Sequence, residues 1–128
     1  MREVSTDGAP VSIGPYSQAI EANGFLFVSG QGASEPETRE VVSDDIREQT
    51  EQTFENISAI LEAAGASLDD VVKATVFLTD MDTYDAVNEV YAEYMAEPFP
   101  ARSAVEVSDL PVEQGVEIEV MAVAPSEA

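Results

Sequence analysis

Residues 69–107, which read DDVVKATVFLTDMDTYDAVNEVYAEYMAEPFPARSAVEV, decide the fold of this chain. Residues 69–80 alternate between apolar and polar side chains and are rich in β-branched residues, which predicts a strand. Residues 102–107 alternate in the same way and predict another strand. Residues 81–97 predict a helix, because apolar side chains recur there at helical spacing, namely Tyr84, Val87, Tyr91 and Tyr94 or Met95.

The ends of this helix carry recognisable signals. Asp82 or Thr83 can serve as the N-cap, because a short oxygen-bearing side chain accepts a hydrogen bond from the first free backbone N–H groups. Pro98 prevents the helix from continuing, since its ring fixes φ and removes a donor. We therefore expect this helix to lie between the two strands and to end before Pro98.

A second helix is predicted over residues 43–67. Its N-cap is expected at Ser43, and Gly65 suits the left-handed position that follows a helix. The predicted buried face is Ile46, Thr50, Phe54, Ile57 and Leu61.

Three more strands complete the pattern. Residues 17–22 and 25–30 flank an Asn-Gly pair, which is the strongest short signal for a hairpin. Residues 32–40 are a polar loop that contains a proline. Residues 115–123 alternate and predict the last strand.

This order of elements predicts an α+β fold, with about five strands in a mixed sheet and both helices packed on one face. We expect a single domain over residues 1–128. Residues 1–12 are an N-terminal segment, and residues 125–128 are expected to be a frayed tail.

The predicted sheet leaves one face without a cover from the same chain. In the last strand Val116, Ile118 and Val120 share the apolar face, whereas Glu117 and Met121 lie on a mixed face. A surface that is too apolar for free solvent and too charged for a dry core is typical of an interface between copies. We therefore predict a homo-oligomer with clefts at these interfaces.

The composition excludes several kinds of chemistry. The 128 residues include no cysteine and no histidine, so thiolate nucleophiles, a Ser-His-Asp triad and His-liganded zinc are absent. No apolar run is long enough to span a bilayer, and the first residues lack the apolar core of a signal peptide. The sequence predicts a soluble cytoplasmic protein.

The chain carries 26 acidic and five basic side chains, which gives a net charge of −21. This balance opposes binding to nucleic acids and to anionic membranes, because both need lysine and arginine. A surface that repels itself is relieved by salt, so we hypothesise a host with a salty cytoplasm, such as a halophilic archaeon.

Arg102 is the first candidate for chemistry, because it follows a Pro-rich turn at the start of a strand. Its guanidinium can bind a substrate carboxylate with two hydrogen bonds. An ion pair with one of the many acids is the alternative that the pattern favours. In residues 102–107, Arg102 and Ala104 share a face opposite Ser103 and Val105.

Glu117 is the second candidate, as a general base that activates water, and Glu119 shares its face. The alternative is a solvated strand residue. Tyr16, Ser29 and Gly30, together with Gly14, lie in tight turns whose N–H groups can bind an anion. Turn chemistry explains these residues equally well.

Several stretches resemble the RidA family, also called the YjgF/YER057c/UK114 family. These are IGPYSQAI, FVSGQ, LEAAGASLDDVVKATVFLTDM, YDAVNEVYAEYM and FPARSAVEV followed by LPVEQGVEIEVMAVA, in order between Ile13 and Ala124. The resemblance implies a chorismate-mutase-like fold and a homotrimer with three clefts between subunits.

The resemblance also implies an activity. Members of this family hydrolyse 2-iminobutanoate and 2-iminopropanoate, with their enamine forms, to 2-keto acids and ammonia without a cofactor. Arg102 matches the carboxylate-binding arginine and Glu117 the glutamate beside the hydrolytic water. Tyr16, Ser29 and Gly30 match cleft residues, and Asn88 is a weaker cleft candidate.

One departure is Ala104, where many members of the family have a cysteine, which excludes thiol chemistry. The alternative function is a trimeric sensor or interaction module that binds a 2-keto acid without turnover. In either case Glu117 and other acids are expected to compete with the substrate carboxylate for the Arg102 guanidinium.

The charge hypothesis predicts that salt stabilises the fold. Raising KCl from about 0.1 M to about 2 M should raise the midpoint of thermal unfolding, because screening between exposed charges becomes nearly complete over this range. Scanning calorimetry at fixed pH measures the effect, and no gain in stability would refute the hypothesis.

Overall fold

The computed structural model describes residues 1–125, so the rest of the predicted frayed tail lies outside the described residues. The strands are β1 (Arg2–Val4), β2 (Ala19–Ala22), β3 (Phe25–Gln31), β4 (Val71–Leu78), β5 (Ala101–Glu106) and β6 (Val116–Val123). The helices are α1 (Ile46–Ala63) and α2 (Tyr84–Tyr94). None of the described helices is long and apolar enough to cross a membrane.

The six strands form one mixed sheet in the order β1-β2-β3-β6-β4-β5. Only β4 and β5, which α2 connects, run parallel, and every other neighbouring pair is antiparallel. The predicted α+β class and mixed sheet are therefore confirmed. The sequence predicted about five strands. The sixth is β1, which lies within residues 1–12, the stretch predicted as an N-terminal segment without a strand. It pairs with β2 from Arg2 opposite Glu21 to Val4 opposite Ala19.

Both helices cover one face of the sheet, as predicted. Val76 and Ile118 from the central strands are at most 1% exposed beneath them. Phe54 of α1 joins the two helices, because its ring stacks on Tyr94 at 5.0 Å and meets the edge of Tyr91 at 5.6 Å. Aromatic pairs in these geometries add to the stabilisation from burial.

Both helices are shorter than predicted, because α1 covers Ile46–Ala63 instead of residues 43–67 and α2 covers Tyr84–Tyr94 instead of residues 81–97. Asp45, not Ser43, is the N-cap of α1, and its side chain accepts a hydrogen bond from the backbone N–H of Glu48. The Ser43 hydroxyl instead accepts from the N–H of Asp45 and shapes the turn before the helix. Gly65 has a φ of 82°, as expected for the residue after a helix.

The start of α2 also differs in detail. Thr83 is the N-cap, but its side chain makes no capping hydrogen bond. A short 3₁₀ turn, Met81–Thr83, precedes the helix, and Asp80 caps that turn by accepting from the N–H of Asp82. The chain therefore enters α2 through two successive turns.

Buried Asn56 ties α1 to the loop that follows β3. Its amide nitrogen donates to the carbonyl oxygens of Gly32 (3.0 Å) and Ser34 (2.9 Å), and its oxygen accepts from Gln52. Loop carbonyls beneath a helix would otherwise lack partners, so this side chain fixes where the loop lies.

Replacing Asn56 with alanine should lower the free energy of unfolding by about 2–4 kcal/mol, because two partly buried carbonyls lose their donor and the amide leaves a gap beneath the helix. Urea unfolding measures the loss. Glu51→Ala, on the exposed side of the same helix, is the control and should change stability by less than about 0.5 kcal/mol. Equal effects of the two changes would contradict this role of Asn56.

Candidate active site

The sheet places the two principal candidates on opposite faces. Arg102 pairs with Ala74, whose side chain is buried beneath the helices, so Arg102 lies on the helix side of the edge strand β5. Glu117 pairs with Phe77 on the other face. The expectation that Glu117 competes for the Arg102 guanidinium is therefore wrong within one chain, because the pleat separates the two side chains.

Glu117 lines a cavity of about 370 Å³ on the exposed face, which we call the Glu117 cavity. It brings together Tyr16, Ser29, Gly30 and Glu117, four of the residues that the sequence singled out. Glu119 and Pro111 also line it. These predicted residues, which come from separate parts of the sequence, thus meet in one place.

Gly30 is needed for this arrangement. A Cβ atom at residue 30 would lie 2.5 Å from Oε2 of Glu117 and 2.8 Å from its Cδ, so any other residue there would displace the carboxyl. The register between β3 and β6 shifts between Val28 and Gln31, so the backbone is irregular where the carboxyl rests on it. The glycine therefore lets the Glu117 carboxyl fold against the sheet.

The surroundings of Glu117 suit its carboxyl group to proton transfer. Partial burial raises the pKa of Glu117, and the neighbouring charge of Glu119 raises this pKa further. A carboxyl with a raised pKa can hold and release a proton closer to neutral pH, as a general acid or base must.

Two turn residues contribute differently from the prediction. The N–H of Ser29 donates to the carbonyl of Gln18 (2.9 Å), and its hydroxyl donates to the carbonyl of Ser17 (2.6 Å). The Ser29 N–H is therefore not a free anion donor as predicted, although its hydroxyl oxygen can still accept. Tyr16 is 52% exposed, and its hydroxyl accepts weakly from the N–H of Ile13.

Arg102 lies against two tyrosines of α2. Its Nη2 donates to the Tyr84 hydroxyl (2.8 Å), and its guanidinium carbon lies 4.8 Å from the ring centre of Tyr91. Among residues 1–125 no carboxylate forms an ion pair with Arg102, so the surface ion pair favoured by the pattern is wrong. The free part of the guanidinium remains available to an anion.

Asn88 lies on the same side as Arg102. Both line a recess of about 280 Å³ with Tyr91, Phe99 and Pro100. The Tyr91 hydroxyl is buried there without a hydrogen-bond partner in the described part of the chain. Burial raises the pKa of Tyr91, whereas the nearby Arg102 charge lowers it.

Sequence reasoning missed some residues of these sites. Tyr84 and Tyr91 were predicted as part of a buried helix face, which conceals their contact with Arg102. Arg39 and Gln114 line a second cavity beside Glu117, and the sequence placed both simply in loops. Only the scarcity of cations in this chain could have marked Arg39 for attention.

The fold and the two sites define a small α+β protein with a carboxyl suited to proton transfer and an arginine suited to carboxylate binding. The family model described as Endoribonuclease L-PSP matches residues 6–124. The chain belongs to this family, which is the RidA family that the sequence resembles.

Individual relatives support this family assignment. A RutC family protein of Pyrococcus horikoshii is 58% identical over 95% of this chain and 98% of its own length. A protein of Dermatophagoides farinae named 2-iminobutanoate/2-iminopropanoate deaminase is 43% identical over 95% of both chains. The crystal structure of RidA from an Antarctic Psychrobacter species superposes with a TM-score of 0.92 at 46% identity, covering 96% of this chain and 99% of the other.

The raised pKa of Glu117 predicts how the Glu117→Gln variant responds to pH. Folded Glu117 keeps its proton to higher pH than unfolded Glu117, so this residue lowers wild-type stability as pH rises through the raised pKa. The stability of Glu117→Gln relative to wild type should therefore increase as pH rises above the ordinary pKa of glutamate, and it should level off once folded Glu117 is ionised.

Urea unfolding at fixed protein concentration measures this difference. Glu113→Gln, at an exposed position outside the cavity, corrects for the loss of one negative charge. A relative stability that stays flat or falls with pH would contradict the raised pKa.

Proposed function

We propose that this protein hydrolyses reactive 2-imino acids, such as 2-iminobutanoate and 2-iminopropanoate, to 2-keto acids and ammonia. The main support is Arg102, which lacks a carboxylate partner among residues 1–125 of a chain with a net charge of −21. A relative that carries the name of this deaminase adds support. No step of the proposed reaction needs a cofactor.

The proposed site forms between subunits of a homotrimer. Arg102 and Glu117 lie on opposite faces of one sheet, so a cleft that uses both must take each from a different copy. The exposed face offers an apolar surface for this contact, since Phe27, Val105 and Met121 are 43%, 43% and 38% exposed. Such a surface on one face is typical of an interface.

In this cleft Arg102 binds the substrate carboxylate and fixes the imine carbon near Glu117 of the neighbouring copy. Tyr84 and Tyr91 hold the guanidinium in place, and Asn88 lies beside it. Tyr16 and Gly30 line the other wall. An anionic substrate needs such a cation, because the surrounding acids repel it.

The proposed reaction has two stages. Glu117 accepts a proton from water while the water oxygen bonds to the carbon of the protonated imine, which gives a carbinolamine. Glu117 then returns that proton to the amine nitrogen. The C–N bond breaks, ammonia leaves, and the hydroxyl gives its proton to the Glu117 carboxylate as the 2-keto acid forms; Glu117 then passes this proton to ammonia or solvent.

A ribonuclease reading, suggested by the description of the family model, has less physical support. The net charge of −21 repels RNA, and the chain has no histidine to act as the acid or base. A 2-keto-acid sensor would use the same Arg102 contact without turnover, so measured hydrolysis decides between the sensor and the enzyme.

Arg102→Ala should reduce catalysed imine hydrolysis by about a hundredfold or more, since the substrate loses its only charge-paired contact. Glu117→Gln should reduce kcat by about a hundredfold with substrate binding retained, since proton transfer is lost. A dehydratase generates the imine, and suppression of semicarbazone formation reports its hydrolysis.

Arg47→Gln is the control, because it removes an equal charge from an exposed ion pair with Glu89. Activity of Arg102→Ala within about threefold of wild type, a loss below about 1 kcal/mol, would refute the carboxylate contact. Wild-type protein that binds 2-oxobutanoate but hydrolyses no imine would instead favour the sensor.

Mixing the two inactive variants tests the position of the site. If Arg102 and Glu117 come from different subunits, trimers reassembled from equal amounts of Arg102→Ala and Glu117→Gln should have intact residues in about one quarter of their clefts. Mixed samples should therefore recover about a quarter of wild-type activity. Failure to recover activity in trimers shown by mass spectrometry to be mixed would contradict a shared site.

A further inference from the structure

Arg39 is the one cationic side chain that has no side-chain partner within residues 1–125. The other four each bond another side chain, in the pairs Arg2–Glu21, Arg47–Glu89, Lys73–Ser103 and Arg102–Tyr84. In a chain with 26 acidic residues, an unpaired guanidinium is unusual, and several of those acids flank Arg39 in its own loop. The lack of a partner for Arg39 therefore needs a physical explanation.

Arg39 lines a cavity of about 270 Å³ that adjoins the Glu117 cavity, and we call it the Arg39 lobe. The two spaces share Ile13, Tyr16, Gly30, Pro111 and Glu117 as lining residues. The two spaces thus lie side by side next to Glu117. A molecule bound beside Glu117 can extend into the lobe that Arg39 borders.

The loop that carries Arg39 has a defined conformation. Arg39 donates its N–H to the carbonyl of Glu35 (2.9 Å), and Ser34 pairs with Val41 across the loop. Asn56 holds the start of this loop from below. Arg39 has a φ of 64°, a backbone region that costs an L-residue about 1 kcal/mol and that glycine adopts freely.

The walls of the lobe suit a short carbon chain. Val11, Ile13 and Val112 provide apolar surface, and the Gln114 amide lies so close to Gly32 that a Cβ there would be 2.2 Å from its Oε1. A ligand chain that starts beside Glu117 can lie on this surface, and Arg39 lies on the wall of the same lobe. The far end of such a ligand then meets a positive charge.

We propose that Arg39 makes the site selective for dicarboxylic 2-imino and 2-keto acids, whose second carboxylate it binds. This inference rests on the proposed function, because it takes the first carboxylate to be held by Arg102 of the neighbouring copy. The keto-acid end lies beside Glu117, and the side chain of the ligand occupies the Arg39 lobe.

Charge explains why one residue can set this preference. Without Arg39, a dianion would be repelled by the acidic surface more strongly than a monoanion of the same length. The Arg39 guanidinium makes the dianion bind more tightly than the monoanion, because it adds a charge-assisted hydrogen bond to the second carboxylate. The preference should weaken at high salt, since Arg39 is exposed.

Isothermal titration calorimetry with 2-oxoglutarate and 2-oxopentanoate tests the proposal, because these acids have equal carbon chains and differ in the terminal carboxylate. Wild-type protein should bind 2-oxoglutarate about tenfold more tightly, and Arg39→Gly should abolish that ratio. Glycine suits the left-handed backbone at residue 39, so this variant keeps its fold. Arg39→Lys should retain part of the preference.

Arg47→Gln is the matched control, because it removes one positive charge outside both cavities and should leave the ratio unchanged. Equal loss of the ratio in Arg39→Gly and Arg47→Gln would overturn a local contact in favour of a general charge effect. A wild-type protein that hydrolyses 2-iminobutanoate but binds the two keto acids equally would overturn this inference alone. Absence of both keto-acid binding and imine hydrolysis would overturn the proposed function together with it.

Discussion

The alternation of side chains across the central strands is the constraint on which the core and the sites both depend. In β6, and in β4 from Ala74 onward, every second residue faces the helices and is buried, so the residues between them must face the other way. The pairing of β4 with β5 extends this alternation to β5. Arg102 pairs with Ala74 and therefore lies on the helix side of the sheet. A shift of one residue would expose the core and move Glu117 beneath the helices. The stability of the core thus fixes the positions of the chemical groups.

The chain has few positive charges, and the surroundings of Arg102 leave its charge free for a ligand. Arg102 lies over Tyr91 and donates to Tyr84, so aromatic surface and a hydroxyl hold its guanidinium without neutralising it. A carboxylate in that place would pair with the arginine and block an anionic ligand. Glu117, by contrast, lies on the opposite face of the sheet from Arg102, and burial raises the pKa of Glu117. The opposite faces of the sheet thus keep a free cation and a protonatable carboxyl apart.

Three amide side chains, of which Asn56 and Gln49 are buried, fix the backbone around the cavities. Asn56 holds the carbonyls at the start of the β3–α1 loop, and Gln114 accepts from the N–H of Ala33 (2.7 Å) in the same loop. Gln49 accepts from the N–H of Gly115 (2.8 Å) at the entry to β6. Each satisfies backbone groups that regular structure leaves unpaired. The irregular segments around Glu117 are therefore fixed to α1 by specific hydrogen bonds.

The amino-acid sequence determined the features that depend on neighbours along the chain. Periodicity identified both helices and five of the six strands, and it assigned Val116, Ile118 and Val120 correctly to the buried face. β1 was missed because a strand of three residues gives almost no periodic signal. The resemblance to RidA singled out four of the seven residues that line the Glu117 cavity, namely Tyr16, Ser29, Gly30 and Glu117. Tertiary structure alone decided how the strands are ordered and which residues meet. It separated Arg102 from Glu117, set Tyr84 and Tyr91 around Arg102, and brought Arg39 to the cavity beside Glu117, because strand register and loop packing join residues that are distant in sequence.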